Sequence, residues 1–246
     1  MKMKKHAILL SGGINRGANA PRYKNDLEFA YEVLVNDCGF DESDIEIFYA
    51  NGADLSFTGN IIKTKEAKKE HIIESLRNVI YNLNKTDEFV LIVSNHGGEK
   101  DGGNICLWGC DTISLEELSE ILQQMEARKI LLLGECYAGN ILDYNISNAC
   151  VMTANIKGKV SYAWYMRNYD EFLYHFLSYI HGFYPDGNPL KQKGENNIKK
   201  AFQYAVDMDF LGPHSIEGER IRKVCNDDSL IEIPQMKCDI LEEIAL

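Results

Sequence analysis

The chain has 246 residues, of which 45% are hydrophobic and 26% charged, and its formal net charge is −11. That is globular composition, long enough for one large domain or two small ones. So acidic a surface speaks against nucleic acid or an anionic membrane as a partner. Seven cysteines, an odd number without the spacing of a disulfide framework, fit free thiols in a reducing compartment, so the expected location is cytoplasmic.

The first apolar run, His6–Leu10, ends in Ser11-Gly12-Gly13. Met1–Lys5 has the basic start of a secretory leader, but Ala7-Ile8-Leu9-Leu10 is too short for a leader's apolar core, so the run reads as a strand. No run approaches membrane-spanning length. A polar loop to Tyr23 precedes a helix expected over 26–38, with Leu27, Tyr31 and Leu34 on one stripe and Gly39 just past its end. Asp44–Tyr49 alternates as a strand. Glu66–Leu83 is amphipathic, with Ile72, Ile73, Leu76, Val79, Ile80 and Leu83 at helical spacing.

Phe89–Val93 and Lys129–Leu133 are continuous apolar runs bounded by glycine, the pattern of strands buried on both faces of a parallel sheet. Between them, Ser114-Leu115-Glu116-Glu117 is a capping box that opens a helix to about residue 127. Ala149–Ala154 is a further strand, and helices follow over 170–180 and 196–208. Beyond Leu211 periodicity weakens, and Leu230–Ile233 is a short strand candidate. The alternation predicts an α/β sandwich with a mainly parallel sheet. The expected organisation is one domain over 1–210 and an extension over 211–246 that completes the sheet or caps it.

The two buried runs end in Ser94-Asn95-His96-Gly97-Gly98 and Gly134-Glu135-Cys136-Tyr137-Ala138-Gly139. If the strands are neighbours, His96 and Cys136 emerge at one carboxyl edge, where open α/β sheets place their chemistry. A thiol beside an imidazole is the minimum equipment for nucleophilic catalysis by cysteine. Gly97 lets a backbone N–H approach a substrate carbonyl, as an oxyanion donor must. The plain alternatives are an inert packed cysteine and a hydrogen-bonded histidine at a strand end. The glycines at 12, 13 and 17 and the 97–103 loop match neither dinucleotide nor P-loop spacing. Cys106 and Cys110 make only a weak zinc candidate, so no metal and no cofactor are expected.

Ser-Asn-His-Gly-Gly followed one strand–helix–strand unit later by Glu-Cys-Tyr-Ala-Gly resembles the caspase-like cysteine peptidases (clan CD). Within them the chain is most similar to the legumain family (C13), which includes asparaginyl endopeptidases and the catalytic subunit of the glycosylphosphatidylinositol transamidase. Arg22-Tyr23-Lys24-Asn25-Asp26 resembles that family's Arg-His-x-x-Asp. Thr153-Ala154-Asn155 leading to Ser161-Tyr162-Ala163 resembles Ala-Ala-Asn leading to Ser-Tyr-Ala, and Tyr169-Asp170 resembles Gly-Asp. The likeness spans roughly residues 5–185.

The resemblance implies a caspase-like three-layer α/β/α sandwich with a mainly parallel six-stranded sheet. It implies His96 as general acid/base, Cys136 as nucleophile, and the N–H groups of Gly97 and Cys136 as the oxyanion hole. Arg22, Ser161 and Asp170 fall on positions lining the specificity pocket, which implies cleavage of a peptide or protein substrate after asparagine, with aspartate second. Two departures stand out. The family's histidine-orienting asparagine falls on Ala20, with Asn19 one place off. Its glutamate two residues before the cysteine falls on Gly134, with Glu135 adjacent to the thiol. A transamidase or ligase of the same family and a non-catalytic caspase-like scaffold remain alternatives, and the oligomeric state is open.

Overall fold

A computed structural model describes residues 3–57, 59–164, 167–190, 194–225, 230–240 and 245–246. In chain order the elements are β1 (Lys5–Ser11), α1 (Pro21–Asn36), β2 (Ile45–Tyr49), β3 (Leu55–Phe57), β4 (Asn60–Ile62), α2 (Lys69–Asn82), β5 (Glu88–Val93), β6 (Gly97–Gly98), β7 (Asn104–Leu107), β8 (Asp111–Ser114), α3 (Leu115–Gln123), β9 (Arg128–Leu133), β10 (Ala149–Thr153), β11 (Ala163–Trp164), β12 (Tyr169–Asp170), α4 (Glu171–His181), α5 (Ile198–Met208), α6 (Ile216–Cys225) and β13 (Gln235–Cys238).

Six strands form the central sheet in the order β13-β10-β9-β5-β1-β2. Every pairing is parallel except β10 with β13. Side chains alternate across it, because successive residues of a strand face opposite ways. Ala7, Leu9, Val90 and Ile92 join α1, α4 and α5 in one core. Ile8, Leu10, Phe89, Leu91 and Val93 join α2 and α3 in the other. The result is the expected three-layer α/β/α sandwich with a mainly parallel six-stranded sheet.

Several boundaries differ from the sequence reading. α1 begins at Pro21 rather than near Asp26, because proline at the first helical position has no N–H to leave unsatisfied. The capping box at Ser114 forms as expected, its Oγ accepting the Glu117 N–H at 3.1 Å. The glycine-rich stretch after His96 is not merely a loop: it opens the small antiparallel sheet β6-β7-β8. In the C-terminal part, Leu230–Ile233 is not a strand. The edge strand lies a few residues on, at Gln235–Cys238.

Free thiols throughout was the composition's expectation, and it needs correction. β13 runs antiparallel to β10 and sets Cys238 directly opposite Cys150, and the two form a disulfide across 88 residues. The bridge removes the cysteine argument for a reducing, cytoplasmic compartment. Among the described residues, no helix is long and apolar enough to cross a membrane.

Candidate active site

β5 and β9 are hydrogen-bonded neighbours in register, Val93 opposite Leu133, and the Gly134 N–H donates to Val93 O at 2.9 Å. Their carboxyl ends therefore open side by side, one leading to His96 and the other to Cys136. The closeness is measured at Gly97. A Cβ built there would lie 1.9 Å from the Cys136 carbonyl oxygen and 3.1 Å from its nitrogen. No other residue fits, so the chain after His96 lies directly on the backbone of Cys136. Just past the thiol, Tyr137 takes a left-handed conformation, φ 63°, which turns the chain sharply away from the sheet.

The Gly97 N–H is turned outward. His96 O accepts the Cys106 N–H at 3.0 Å, and Gly97 stands opposite Ile105. Hydrogen-bonded pairs alternate along an antiparallel ladder, so Gly97 occupies the position between them. The Cys136 N–H takes part in no hydrogen bond among the described residues. The backbones of the two residues expected to form an oxyanion hole thus pack against each other at the sheet edge.

The imidazole of His96 is held on two sides. Its Nε2 lies 3.0 Å from the carbonyl oxygen of Ala18. A carbonyl only accepts, so Nε2 carries the proton and Nδ1 keeps its lone pair. Tyr23 meets the ring edge-on with centroids 5.2 Å apart. Burial lowers the imidazole's pKa, the Ala18 hydrogen bond opposes that shift, and the nearby charge of Arg22 adds to it. Asn19 does not orient the ring. Its Nδ2 donates to Tyr49 Oη at 3.0 Å, and the neighbouring backbone carbonyl has the place foreseen for its side chain.

Around the thiol, Ser161 is the nearest partner. The Cys136 Sγ lies 3.6 Å from Ser161 O and 3.8 Å from Ser161 Oγ, and that hydroxyl donates to Gly134 O at 2.6 Å. Asp170 faces the same glycine. A Cβ on Gly134 would lie 3.1 Å from the Asp170 carboxyl carbon and both oxygens. The missing side chain at position 134 is what gives Asp170 its room.

Asp170 is 5% exposed and caps α4, its Oδ1 accepting the Leu173 N–H at 2.9 Å. Its own N–H donates to Asp26, which also accepts from Ser94 Oγ at 2.5 Å. Burial pushes both carboxyls up, Asp26 to about 7 and Asp170 well above the usual range, the latter raised further by Asp26. Arg22 lies near enough to draw both down but is not ion-paired with either. Its Nη2 donates to Tyr23 Oη at 2.9 Å, and its guanidinium lies 4.5 Å from that ring's centre.

Sequence reasoning also named Glu135. Its carboxyl is 1% exposed, neither oxygen has a partner among the described residues, and burial pushes it up to about 8. It is enclosed beside the thiol rather than open to a ligand. Three contributors went unnamed: the Ala18 carbonyl, the ring of Tyr23 and the Asp26 carboxyl. Tyr23 and Asp26 were visible inside the Arg22–Asp26 motif. A backbone carbonyl leaves no trace in a sequence.

Solved structures share this architecture. Caspase-1 from Spodoptera frugiperda superposes with a TM-score of 0.63 at 11% identity, over 99% of this chain and 90% of that one. Protein GSU0716 from Geobacter sulfurreducens superposes with a TM-score of 0.60 at 13% identity, over 95% of this chain and 92% of that one. At such identities the likeness concerns the fold alone. No curated protein sequence matches the chain. The sequence profile of the Peptidase C13 family, by contrast, matches residues 50–207. That span covers more than half of the chain and takes in both strand ends, with His96 on one and Cys136 on the other, so the protein belongs to the Peptidase C13 family.

Proposed function

We propose that the protein is a cysteine endopeptidase that cleaves peptide or protein substrates through an acyl-enzyme on Cys136. The observation that carries this reading is the packing of Gly97 on the Cys136 backbone, which sets the strand end bearing the imidazole directly against the one bearing the thiol. His96 Nδ1 takes the thiol proton as Cys136 Sγ attacks the scissile carbonyl. The N–H groups of Gly97 and Cys136 stabilise the oxyanion. The imidazolium then protonates the leaving amine, and the thioester forms. Water attacks it next, giving its proton back to His96, and the freed thiolate is reprotonated. The Ala18 carbonyl fixes the tautomer throughout.

Cleavage follows asparagine first and aspartate second. An asparagine side chain needs one donor and one acceptor from its pocket. The Arg22 guanidinium donates to its carbonyl. Asp170, whose carboxyl pKa burial raises, has an oxygen for its amide, and the Ser161 hydroxyl turns either way. A lysine or arginine would meet Arg22 as a like charge, and an apolar side chain would leave the polar groups unpaired.

A fluorogenic panel differing only in the residue before the scissile bond tests this, with Cys136→Ala as control. Asparagine substrates should be cut fastest, and the control should be silent. Faster cleavage after lysine or arginine would overturn the pocket assignment. No cleavage of any member would favour a non-catalytic scaffold. Product analysis with an added amine separates hydrolysis from transamidation, since both use the same acyl-enzyme.

A further inference from the structure

The C-terminal segment reaches the loop that carries Ser161. Asn155, buried just past β10, joins the two. Its Nδ2 donates to Val160 O at 2.6 Å and Ile231 O at 3.4 Å, and its Oδ1 accepts the N–H groups of Ile156 at 2.8 Å and Ile233 at 2.9 Å. Between those isoleucines sits Glu232, 0% exposed. Its N–H donates to Leu211 O at 3.2 Å. Its Oε2 accepts the N–H of Tyr162 at 3.3 Å, and its Oε1 has no partner among the described residues.

Tyr162 directly follows Ser161, whose carbonyl and hydroxyl flank the Cys136 sulfur. A buried carboxyl with one long backbone hydrogen bond is poor packing material, because its second oxygen has lost water for nothing. If the segment only had to fill space, an apolar residue would serve better. The acid makes sense for the atom it holds.

We propose that Glu232 is a positioning residue of the substrate cleft: it fixes the Tyr162 backbone so that Ser161 stays between Gly134 O and the Cys136 sulfur. This rests on the peptidase reading of Cys136 and His96. Burial, with Asp209 and Asp170 close by, pushes the Glu232 carboxyl up, which favours its neutral form. What the Tyr162 N–H requires is an acceptor oxygen at this reach, which a carboxyl and an amide both supply.

Two nearly isosteric variants separate acceptor from filler. Glu232→Gln keeps an acceptor at the same reach, and Glu232→Met fills the same volume without one. With the asparagine substrate, Glu232→Gln should stay within about twofold of the parent in kcat and KM. Glu232→Met should raise KM roughly tenfold while kcat changes far less, since Cys136 and His96 follow directly on β9 and β5, whose pairing sets their backbones, whereas Ser161 is carried by the loop itself. Hydrogen exchange of the peptide spanning 156–163 should quicken in Glu232→Met alone. Unchanged KM and exchange in Glu232→Met would overturn the proposal. So would a Glu232→Gln variant as impaired as Glu232→Met, or an exchange increase spread over the whole chain. If the parent cleaves no member of the panel, the peptidase reading fails by itself, and the exchange comparison still decides whether Glu232 holds the loop.

Discussion

Among the described residues, four free cysteines sit in different surroundings. Cys38 is buried, and burial pushes its thiol up to about 12. Burial also raises Cys106, with the charges of Cys136 and Glu135 adding to it. Cys110 is exposed. Of these four, Cys136 lies against the Ser161 carbonyl, just past the strand that neighbours the one leading to His96. Thiolate character and access together set alkylation rate. Limiting iodoacetamide near neutral pH should therefore label Cys136 first, and His96→Ala should slow that labelling roughly tenfold. Peptide mapping of the alkylated protein checks it, and earlier labelling of Cys106 would refute it. At this scale the sequence told much. His96, Gly97 and Cys136 were legible because each follows a run too apolar to be anything but a buried strand end. The orienter was not, because it is the Ala18 carbonyl, and the side chain one residue later is committed to Tyr49.

Secondary elements with local periodicity were legible to within a few residues: α2, α3, α4 and the inner strands. What failed was pairing between distant segments. Leu230–Ile233 reads as a strand by its apolar content. Its backbone, however, is bound to Asn155 and Leu211 rather than to a ladder. The true edge strand, Gln-Met-Lys-Cys, is short and half polar, and it pairs with β10 across some 85 residues. No periodicity can announce such a partner. The same holds for β6 and β7, where glycine and asparagine make a ladder that looks like a loop. The disulfide belongs to this element. A bridge closing an 88-residue loop stabilises by roughly 2–4 kcal/mol. Cys238→Ser should accordingly lower Tm by roughly 5–10 °C. Dithiothreitol should do the same to the parent and nothing further to the variant. Equal melting curves for parent and variant would mean that hydrogen bonds alone hold β13 in place.

Across the whole molecule the charge balance has a direction. The net charge is −11, and yet several acids are sealed inside. Burial pushes Asp26 and Asp209 up to about 7 and Glu135 up to about 8, and it raises Asp170 and Glu232 as well. A carboxyl whose pKa is higher folded than unfolded binds its proton more tightly in the native state. Its contribution is complete below the unfolded value near 4 and is lost as pH rises through the folded value. His96 and Lys129, both held below their usual ranges by burial, work the other way, but among the described residues they are two groups against five. Stability should therefore fall between about pH 5 and pH 8, and self-repulsion of an acidic surface pushes in the same direction. Below pH 4 the slope reverses, because acids such as Glu46, held down at about 2 by His6 and Lys65, begin to lose their partners. Thermal melts followed by circular dichroism from pH 5 to pH 8.5 should show Tm dropping by roughly 5 °C or more. Asp26→Asn should flatten the slope, because the amide keeps an acceptor for Ser94 and the Asp170 N–H but has no proton to lose. A Tm that is level or rising over that range would mean that the buried acids find solvent or counter-charge in solution.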